Sequence, residues 1–454
     1  MIKKIYILPV FLVLLVSACS NPSTSTGNFT YPSTMTIGYL PVTGIRTLFV
    51  ANTFTGTVSE INTSNNSVIP VTTHSGVYNA IPLNMYPAAV EFNNGYLYVA
   101  GFTQSTGLLE AINLSTNSVI TTTTLKGYPV MSTIITGTSK LFVIDSYKNS
   151  FYLEAFTVGN FITPSAGSPA TLTFTPSSMT LSSDNSKLFI SYMLRPVIGI
   201  FDPDSLNQIS NVTVDNPVTS MEAMNNGNTI LYATVLSGTS YYFEAINTSN
   251  WTTAYEFSVT GIPANFGISS QRFLLDDNHF SYIGVVPNED GYITFLNIDD
   301  GCNISNTASS YNGLQLTSSV PASNAPSLQS ITTNDCTTQT ETWSIVYSSN
   351  ENNYFVTGTA SGLQPYPARQ SLFFDSLDDS VSFYISPGKT LLNNGDEFVL
   401  NTIAATGIKA LIGLGLPSNV LVDPLTNQAY VTDILSDSVY VISIQTQAIT
   451  ATIK

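Results

Sequence analysis

The 454-residue sequence predicts an all-β protein, a seven-bladed β-propeller of four-stranded blades with a small antiparallel β-domain inserted in blade six. Three observations predict this fold class. Short runs rich in Val, Ile, Thr, Tyr and Phe alternate with polar residues, which favours strands. One pattern of such runs recurs at a period of about 40–50 residues, which is typical of propeller blades. A proline opens the first run of most repeats.

The repeat is first seen in "LFVANTFTGTVSEINTSNNSVI", from Leu48 to Ile69, where two apolar runs joined by a turn precede a polar tract and a third run. Seven copies share one aromatic anchor position. The anchors are Phe49, Tyr98, Phe142, Phe189, Tyr232, Tyr282 and Tyr430. Successive anchors are 43–50 residues apart, except for the last two, which are 148 apart. Helical repeats can share this period, but the alternation favours strands.

Each repeat is interpreted as four strands. The first strand opens on proline, because the missing N–H of proline costs no ladder bond at that position. The Pro-led segments begin at Tyr86, Tyr128, Pro176, Pro217, Pro263 and Pro417. The anchor run is the second strand, the "VSEIN"-type run the third, and the "SVI" run the outer edge. The segment "YPSTMTIGYL" supplies the first strand of blade one.

With these repeats the chain resembles the YVTN-repeat (YncE-like) β-propeller family, named for a tetrapeptide that stands here as "FVAN", "YVAG" and "YVTD". The last copy, "PSNVLVDPLTNQAYVTDILSDSVYVISIQTQAITATI", is the most similar to the family pattern. The resemblance implies a fold much more than a function, because the motif residues fill the space between blades and close hairpins.

An insertion from residue 301 to 405 is predicted between the third and outer strands of blade six, which leaves 36–300 and 406–454 to the propeller. Alternating runs such as "ETWSIVYSS" and "VSFYIS" predict a sandwich-like β-domain there and argue against a disordered linker. Cys302 and Cys336 are expected to form a disulfide in an oxidising compartment. Zinc is the alternative, but two cysteines with no nearby histidine give too few ligands.

The first residues, "MIKKIYILPVFLVLLVSACS", have the three-part layout of a secretory signal over 1–18. The stretch from Val16 to Cys19 resembles the lipobox of bacterial lipoproteins, which implies lipidation of Cys19; an ordinary cleaved signal is the alternative. Ser20 resembles outer-membrane sorting, with the periplasmic or surface side left open. Residues 19–35, rich in Ser, Thr, Gly and Pro, are predicted to be a flexible tether.

Composition narrows the function. The formal net charge is -16, and so acidic a chain would repel phosphate backbones, which disfavours nucleic-acid binding. His74 and His279 are the only histidines, and neither stands beside a nucleophile and an acid. No haem, phosphate-loop or metalloprotease motif occurs, so we predict no cofactor and no metal site. Paired aspartates such as Asp202 and Asp204 could bind calcium, but their spacing favours solvated turns.

We expect binding at the face where second-to-third turns and Pro-led segments converge. Its predicted polar residues are Asn52, Asp145, Lys148, Arg195, Glu289, Asp290, Asp433 and Asp437. Asp145, Arg195 and Asp433 are the candidate binding residues, expected near the mouth of the central channel. The favoured function is a non-catalytic envelope lipoprotein that binds a protein or glycan; the alternative is an enzyme or sensor that binds a small metabolite in the channel.

Overall fold

The structure, a computed structural model, divides into two compact units: unit 1, Met1–Ile293 with Ala410–Lys454, and unit 2, Thr294–Lys409. The residues that it describes are 29–73, 76–135, 139–223, 229–259, 262–263, 265–268, 273–274, 280–281, 283–288, 292–297, 302–303, 308–315, 325–333, 340–377, 381–388, 392–403, 409–411, 415–423, 425–444, 446 and 448–454. Across these ranges the regular structure is all strand, with no helix.

The strands up to residue 297 are β1 (Pro32–Tyr39), β2 (Arg46–Asn52), β3 (Thr57–Asn62), β4 (Ser67–Val68), β5 (Val71–Thr73), β6 (Gly76–Tyr78), β7 (Ile81–Pro82), β8 (Tyr86–Asn93), β9 (Tyr96–Phe102), β10 (Gly107–Asn113), β11 (Ser118–Thr124), β12 (Tyr128–Ile135), β13 (Lys140–Tyr147), β14 (Ser150–Val158), β15 (Ile162–Pro164), β16 (Ala170–Leu172), β17 (Pro176–Leu181), β18 (Leu188–Tyr192), β19 (Arg195–Phe201), β20 (Gln208–Thr213), β21 (Val218–Ala223), β22 (Ile230–Ser237), β23 (Ser240–Asn247), β24 (Thr252–Val259), β25 (Gly267–Ile268), β26 (Phe273–Leu274), β27 (Phe280–Ser281), β28 (Ile283–Pro287) and β29 (Tyr292–Asn297).

The remaining strands are β30 (Cys302–Asn303), β31 (Ala308–Gln315), β32 (Ser327–Thr333), β33 (Glu341–Ser348), β34 (Asn353–Gly358), β35 (Gly362–Leu363), β36 (Phe373–Asp375), β37 (Val381–Ser386), β38 (Glu397–Ile403), β39 (Lys409–Leu411), β40 (Pro417–Asp423), β41 (Gln428–Asp433), β42 (Ser438–Ser443) and β43 (Ala448–Ile453).

Antiparallel sheets of four consecutive strands make up most of unit 1. They are β1-β2-β3-β4, β8-β9-β10-β11, β12-β13-β14-β15, β17-β18-β19-β20, β21-β22-β23-β24 and β40-β41-β42-β43. A further sheet, β25-β28-β29-β30, also receives β39 on β29. In β1, β8, β12, β17 and β40 the register shifts directly after the opening proline, so the ladder begins where N–H donors resume. In the described part of the sixth first strand, Pro263 makes an isolated bridge to Asn288 and the ladder pairs begin in β25.

The first strands of successive sheets are joined by side-chain hydrogen bonds. The donors and acceptors are Thr34 Oγ1 to Ala88 O (3.5 Å), Ser132 Oγ to Glu91 Oε1 (3.1 Å), Ser177 Oγ to Val218 O (2.7 Å), Ser220 Oγ to Asn265 Oδ1, and Ser418 Oγ to Pro32 O (3.0 Å). One edge of each first strand lies outside the ladder, and Ser and Thr hydroxyls there donate to backbone carbonyls in three cases and to side-chain oxygens in two. Because the last sheet joins the first, the sheets close into a ring, which is a β-propeller.

The space between neighbouring sheets is filled by apolar side chains. The described aromatic anchors, Phe49, Tyr98, Phe142, Phe189, Tyr232 and Tyr430, are all buried, while Tyr282 lies outside the described residues. Separate clusters join the first sheet to the second, the second to the third, the third to the fourth, the fourth to the fifth and the last to the first. The repeating aromatic and Val positions therefore build the contacts between blades.

An ion pair reinforces the contact between the first and last sheets of the ring. The Arg46 guanidinium, from β2, donates to both carboxylate oxygens of Asp423, at the end of β40, with the shortest contact 2.7 Å. The Asp423 side chain is fully buried, and the Arg46 side chain is 23% exposed. The strands β40–β43 are consecutive in the chain, and among the described residues no strand from elsewhere in the chain enters their sheet.

Unit 2 contains two antiparallel sheets, β31-β38-β33-β34-β35 and β32-β37-β36. Alternate residues of both sheets meet in one core that includes Trp343, Val356, Phe383 and Leu400. Two sheets that share one core in this way form a sandwich. Cys336 and the side chain of Cys302 lie outside the described residues, as does Cys19, so the expected disulfide and lipidation stay predictions.

Candidate functional site

The face expected to bind is defined by strand direction. Each first strand begins opposite the end of the second strand, as Pro32 pairs with Asn52 and Pro417 pairs with Asp433. The loop before a first strand and the turn after a second strand therefore lie at the same end of the sheet. We call this end the turn face, and the loop that precedes each first strand the connecting loop. Glu289 and Asp290 of the predicted set lie outside the described residues.

Asp433, at the end of β41, is buried, and its carboxylate bonds to the backbone of neighbouring loops. Its carboxylate accepts hydrogen bonds from the backbone N–H of Gly415 and from that of Leu416 at 3.1 Å, both in the connecting loop before β40. It also accepts from the N–H of Leu435 at 3.0 Å and of Ser436 at 3.1 Å, in the following turn. A side chain with no exposed surface and four amide donors holds two loops together, and it presents no oxygen to a ligand in solution.

Asp145 stands at the equivalent end of β13, opposite Pro129, and is also fully buried. Burial, and next the neighbouring Glu154 carboxyl, raise the pKa of Asp145 well above its usual range. A Cβ on Gly127 would lie 2.4 Å from the carbonyl oxygen of Ser146 and 3.0 Å from Asp145 Oδ1, so glycine allows the connecting loop to pass this close to the end of β13. Asp145 therefore lies under the turn face and not on it.

Arg195 is exposed, and it borders a cleft of about 400 Å³ on the turn face of the third and fourth sheets. We call this the Arg195 cleft; its lining residues are Asn149, Ser150, Phe151, Leu172, Thr173, Phe174, Thr175, Met193, Leu194 and Arg195. The Arg195 guanidinium carbon lies 3.9 Å from the centre of the Phe174 ring. Among the described residues, no hydrogen bond or ion pair joins Arg195 to Asp145 or Asp433, and a shared binding role for the three candidate residues stays a prediction.

Two further cations of the turn face also lie over aromatic rings. Lys148 Nζ is 5.0 Å from the centre of the Tyr147 ring, and Lys126 Nζ is 5.6 Å from the centre of the Tyr152 ring. Within the described part of the chain, neither of these lysines nor Arg195 makes an ion pair with a carboxylate. The turn face of the third and fourth sheets is thus a local basic and aromatic region on an acidic protein.

Sequence reasoning missed a set of buried glutamates that fix the connecting loops. They occupy one register position in the third strands, in "LLEAIN", "YLEAF" and "YFEAIN". Glu110 Oε1 accepts from Asn84 Nδ2 at 3.4 Å, Glu154 Oε1 from the N–H of Lys126 at 2.8 Å, and Glu244 Oε1 from Asn216 Nδ2 at 2.8 Å. Each donor precedes the first strand of the same sheet. The recurring Glu-Ala pair was the available signal.

Two carboxyls lie in the ring of first strands and are partly exposed, Glu91 in β8 and Glu222 in β21. Burial raises the pKa of each to about 7, against the opposing hydrogen bonds from the Ser132 hydroxyl to Glu91 and from the Ile268 backbone to Glu222. Burial likewise raises the pKa of Glu60 to about 7. These groups make the stability of unit 1 sensitive to pH.

We expect the free energy of unfolding of unit 1 to fall as pH rises from about 5 to about 8. An unfolded Glu has released its proton above its ordinary pKa of 4.5, whereas the folded chain keeps the proton until about pH 7. The stabilisation is therefore complete below pH 4.5 and is lost as pH rises through 7. The double variant Glu91→Gln with Glu222→Gln should have a flatter profile of urea midpoint against pH.

The matched control for this profile is Glu351→Gln, which changes an exposed carboxyl in unit 2. It should leave the pH profile of unit 1 as it is in the parent protein. A double variant whose urea midpoint falls with pH as steeply as that of the parent would show that neither Glu91 nor Glu222 holds its proton in the fold.

Unit 2 carries a second candidate surface, which we call the apolar edge. Five large apolar side chains within fifteen residues are 56–74% exposed. They are Leu363, Tyr366, Leu372, Phe373 and Leu377. The Leu377 N–H donates to Gln364 Oε1 at 2.8 Å, which brings the two ends of this segment together. Among the described residues, β35 pairs only with β34 and β36 only with β37, so each lies at the edge of its sheet. Clustered exposed apolar side chains of this kind mark interaction surfaces.

Other classes of site find no support in the described part of the chain. No group of three or more His, Cys, Asp or Glu side chains stands close enough there to hold a metal ion. In the same residues no helix is long and apolar enough to cross a membrane. His74 and His279, and the aspartate pairs at 276–277, 299–300 and 378–379, lie outside the described residues.

Comparison with known proteins gives a structural likeness only. No family model matches the chain, and no curated protein matches its sequence. BamB from Moraxella catarrhalis is similar over 89% of this chain and 95% of its own, with 12% identity and a TM-score of 0.43. Sqt1 from Saccharomyces cerevisiae is similar over 55% of this chain and 68% of its own, with 14% identity and a TM-score of 0.40. A chain of the mitotic checkpoint complex is similar over 61% of this chain and 81% of its own, with 12% identity and a TM-score of 0.40.

Proposed function

We propose that this protein is a lipid-anchored scaffold of the bacterial cell envelope that binds a partner protein and catalyses no reaction. A seven-bladed propeller of the YVTN-repeat type forms the platform, and residues 301–405 form an inserted β-sandwich. Lipidation of Cys19 would hold the chain at the outer membrane through the tether. The apolar edge of unit 2 is the single observation that carries the assignment to a binding protein.

The strand pairing supports the inserted domain. The third strand of the sixth sheet, β29, pairs with both β30 and β39. In the sequence, β30 precedes the strands of the sandwich and β39 follows them. The outer strand of this sheet is thus supplied in two pieces, with the sandwich between them in sequence. Seven first strands, β1, β8, β12, β17, β21, β25 and β40, support the count of seven blades.

The partner is assigned to proteins because of the chemistry of the apolar edge. Burying a large apolar side chain contributes about 1.5–3 kcal/mol, so a few of these five suffice for a binding hot spot. The free edges of β35 and β36 also offer backbone groups to an added strand. In unit 1, carboxylates such as Asp433 and Glu154 accept hydrogen bonds from the backbone of the connecting loops of unit 1 itself.

The test is site-specific photo-crosslinking in intact cells, with a photoreactive side chain in place of Leu372 in the full-length chain. We expect one crosslinked product whose yield falls about tenfold in the triple variant Leu363→Ser, Tyr366→Ser, Leu377→Ser, because three apolar contacts are lost.

The matched control is the double variant Val77→Ser, Phe161→Ser, which changes side chains of unit 1 that are 68% and 74% exposed. It should leave the product and its yield unchanged. Equal yields from the triple variant and the parent protein would refute the apolar edge as the binding surface.

A further inference from the structure

We infer that the Arg195 cleft binds a peptide segment of the partner in which a carboxylate side chain stands next to an apolar one. This inference rests on the proposed role as a protein-binding scaffold, and it adds a second recognition site, in unit 1, with a defined ligand chemistry.

The first support is the way Arg195 is held. Its guanidinium carbon lies 3.9 Å above the Phe174 ring, and that ring meets the ring of buried Tyr192 edge-on at 5.4 Å. A guanidinium held over an aromatic face by its carbon can still donate N–H groups to a ligand, and a carboxylate accepts two of them with both oxygens. No carboxylate among the described residues occupies that position.

The second support is the turn that carries Arg195. Leu194 has a backbone φ of +57° and a side chain that is 45% exposed. A non-glycine residue is strained in this region, and glycine would relieve the strain. The turn instead carries Leu194, an apolar side chain that lines the cleft and precedes Arg195 by one residue in the sequence. Pro196 follows and restricts the backbone on the other side.

The remaining walls favour a peptide over a small anion. Most of the surface that lines the cleft is polar, from residues such as Asn149 and Thr173, and Phe151, Leu172 and Met193 contribute a smaller apolar side. A volume of about 400 Å³ lies in the range of ligand pockets and far exceeds that of one inorganic ion. An apolar side chain can fill the apolar side while the neighbouring carboxylate meets Arg195.

The charge pattern agrees with an acidic segment. Lys148 immediately precedes Asn149 of the cleft and makes no ion pair within the described residues. The net charge of -16 acts at longer range, and salt near 0.15 M screens charges more than about 8 Å apart. Arg195 is the charged residue that lines the cleft, so its charge acts on a bound ligand with the least screening.

The test uses the full-length protein with ¹³C-methyl methionine, in which the Met193 signal is assigned from Met193→Leu. Acetyl-Leu-Asp-Leu-amide is titrated against acetyl-Leu-Asn-Leu-amide, which differs only in the charge of one side chain. We expect the Asp peptide to shift the Met193 methyl signal saturably, with affinity about tenfold or more above that of the Asn peptide. Equal affinities for the two peptides, or no shift with either, would overturn the inference.

Two variants and two further probes complete the design. Arg195→Lys keeps the positive charge but removes the planar guanidinium, so it should lower the affinity for the Asp peptide about tenfold. Arg369→Ala, at an exposed arginine of unit 2, should leave that affinity unchanged. Inorganic phosphate or glucuronate that shifts Met193 as strongly as the Asp peptide would replace the peptide assignment with a general anion site. The photoreactive position and the triple variant of the crosslinking test lie in unit 2, so a failure of the peptide titration leaves the crosslinking result standing, and the reverse also holds.

Discussion

Replacing Asp433 by alanine should lower the free energy of unfolding of unit 1 by about 3–5 kcal/mol. The carboxylate is fully buried, and it accepts the N–H groups of Gly415, Leu416, Leu435 and Ser436. Alanine would leave these donors without their acceptor in a covered site. The measurement is urea unfolding followed by the fluorescence of Trp251, in a background where Trp343→Phe removes the tryptophan of unit 2.

The matched control for this loss is Asp204→Ala. Asp204 pairs with Lys140 at 2.8 Å, but its side chain is 91% exposed, so the change should cost less than about 1 kcal/mol. If Asp433→Ala shifted the urea midpoint no more than Asp204→Ala, the carboxylate would not anchor the connecting loop, and a ligand-binding role for Asp433 would need to be reconsidered.

The blades were predictable because the alternation of apolar and polar residues and the positions of proline are visible in the sequence. A strand with one buried face shows its period of two in sequence, and a proline can open a first strand only where no N–H is needed. The segments predicted from Tyr86, Tyr128 and Pro417 accordingly form β8, β12 and β40 with those starting residues. The buried anchors Phe49 and Tyr430 follow from the same alternation.

The candidate site was less predictable, because sequence gives the position of a side chain but not its direction. Asp145 and Asp433 stand at the strand ends where the turn face was expected, yet both side chains point inward and meet connecting loops. Arg195 is exposed as its position suggested, but the cleft depends on Phe174 and Phe151, which come from different loops and strands. Only tertiary packing brings such residues together.

Replacing Trp343 by alanine should unfold unit 2 while unit 1 stays folded. The side chain is fully buried in the core shared by both sheets of the sandwich, and its Nε1–H donates to Thr402 Oγ1 at 3.2 Å. Removing so large a buried side chain costs about 3–5 kcal/mol, which is comparable to the whole stability of a small domain. The measurement is hydrogen exchange by mass spectrometry, with peptides from β33, β37 and β38 expected to lose protection.

Peptides from β8–β10 and β21–β23 should keep their protection in this variant, because no residue of unit 1 belongs to the Trp343 cluster. Tyr366→Ala, which removes an exposed ring of the same unit, should change protection nowhere by more than about 0.5 kcal/mol. Loss of protection in both units together would mean that they unfold as one cooperative body. Loss in unit 2 alone would show that unit 2 unfolds as a separate domain while unit 1 stays folded.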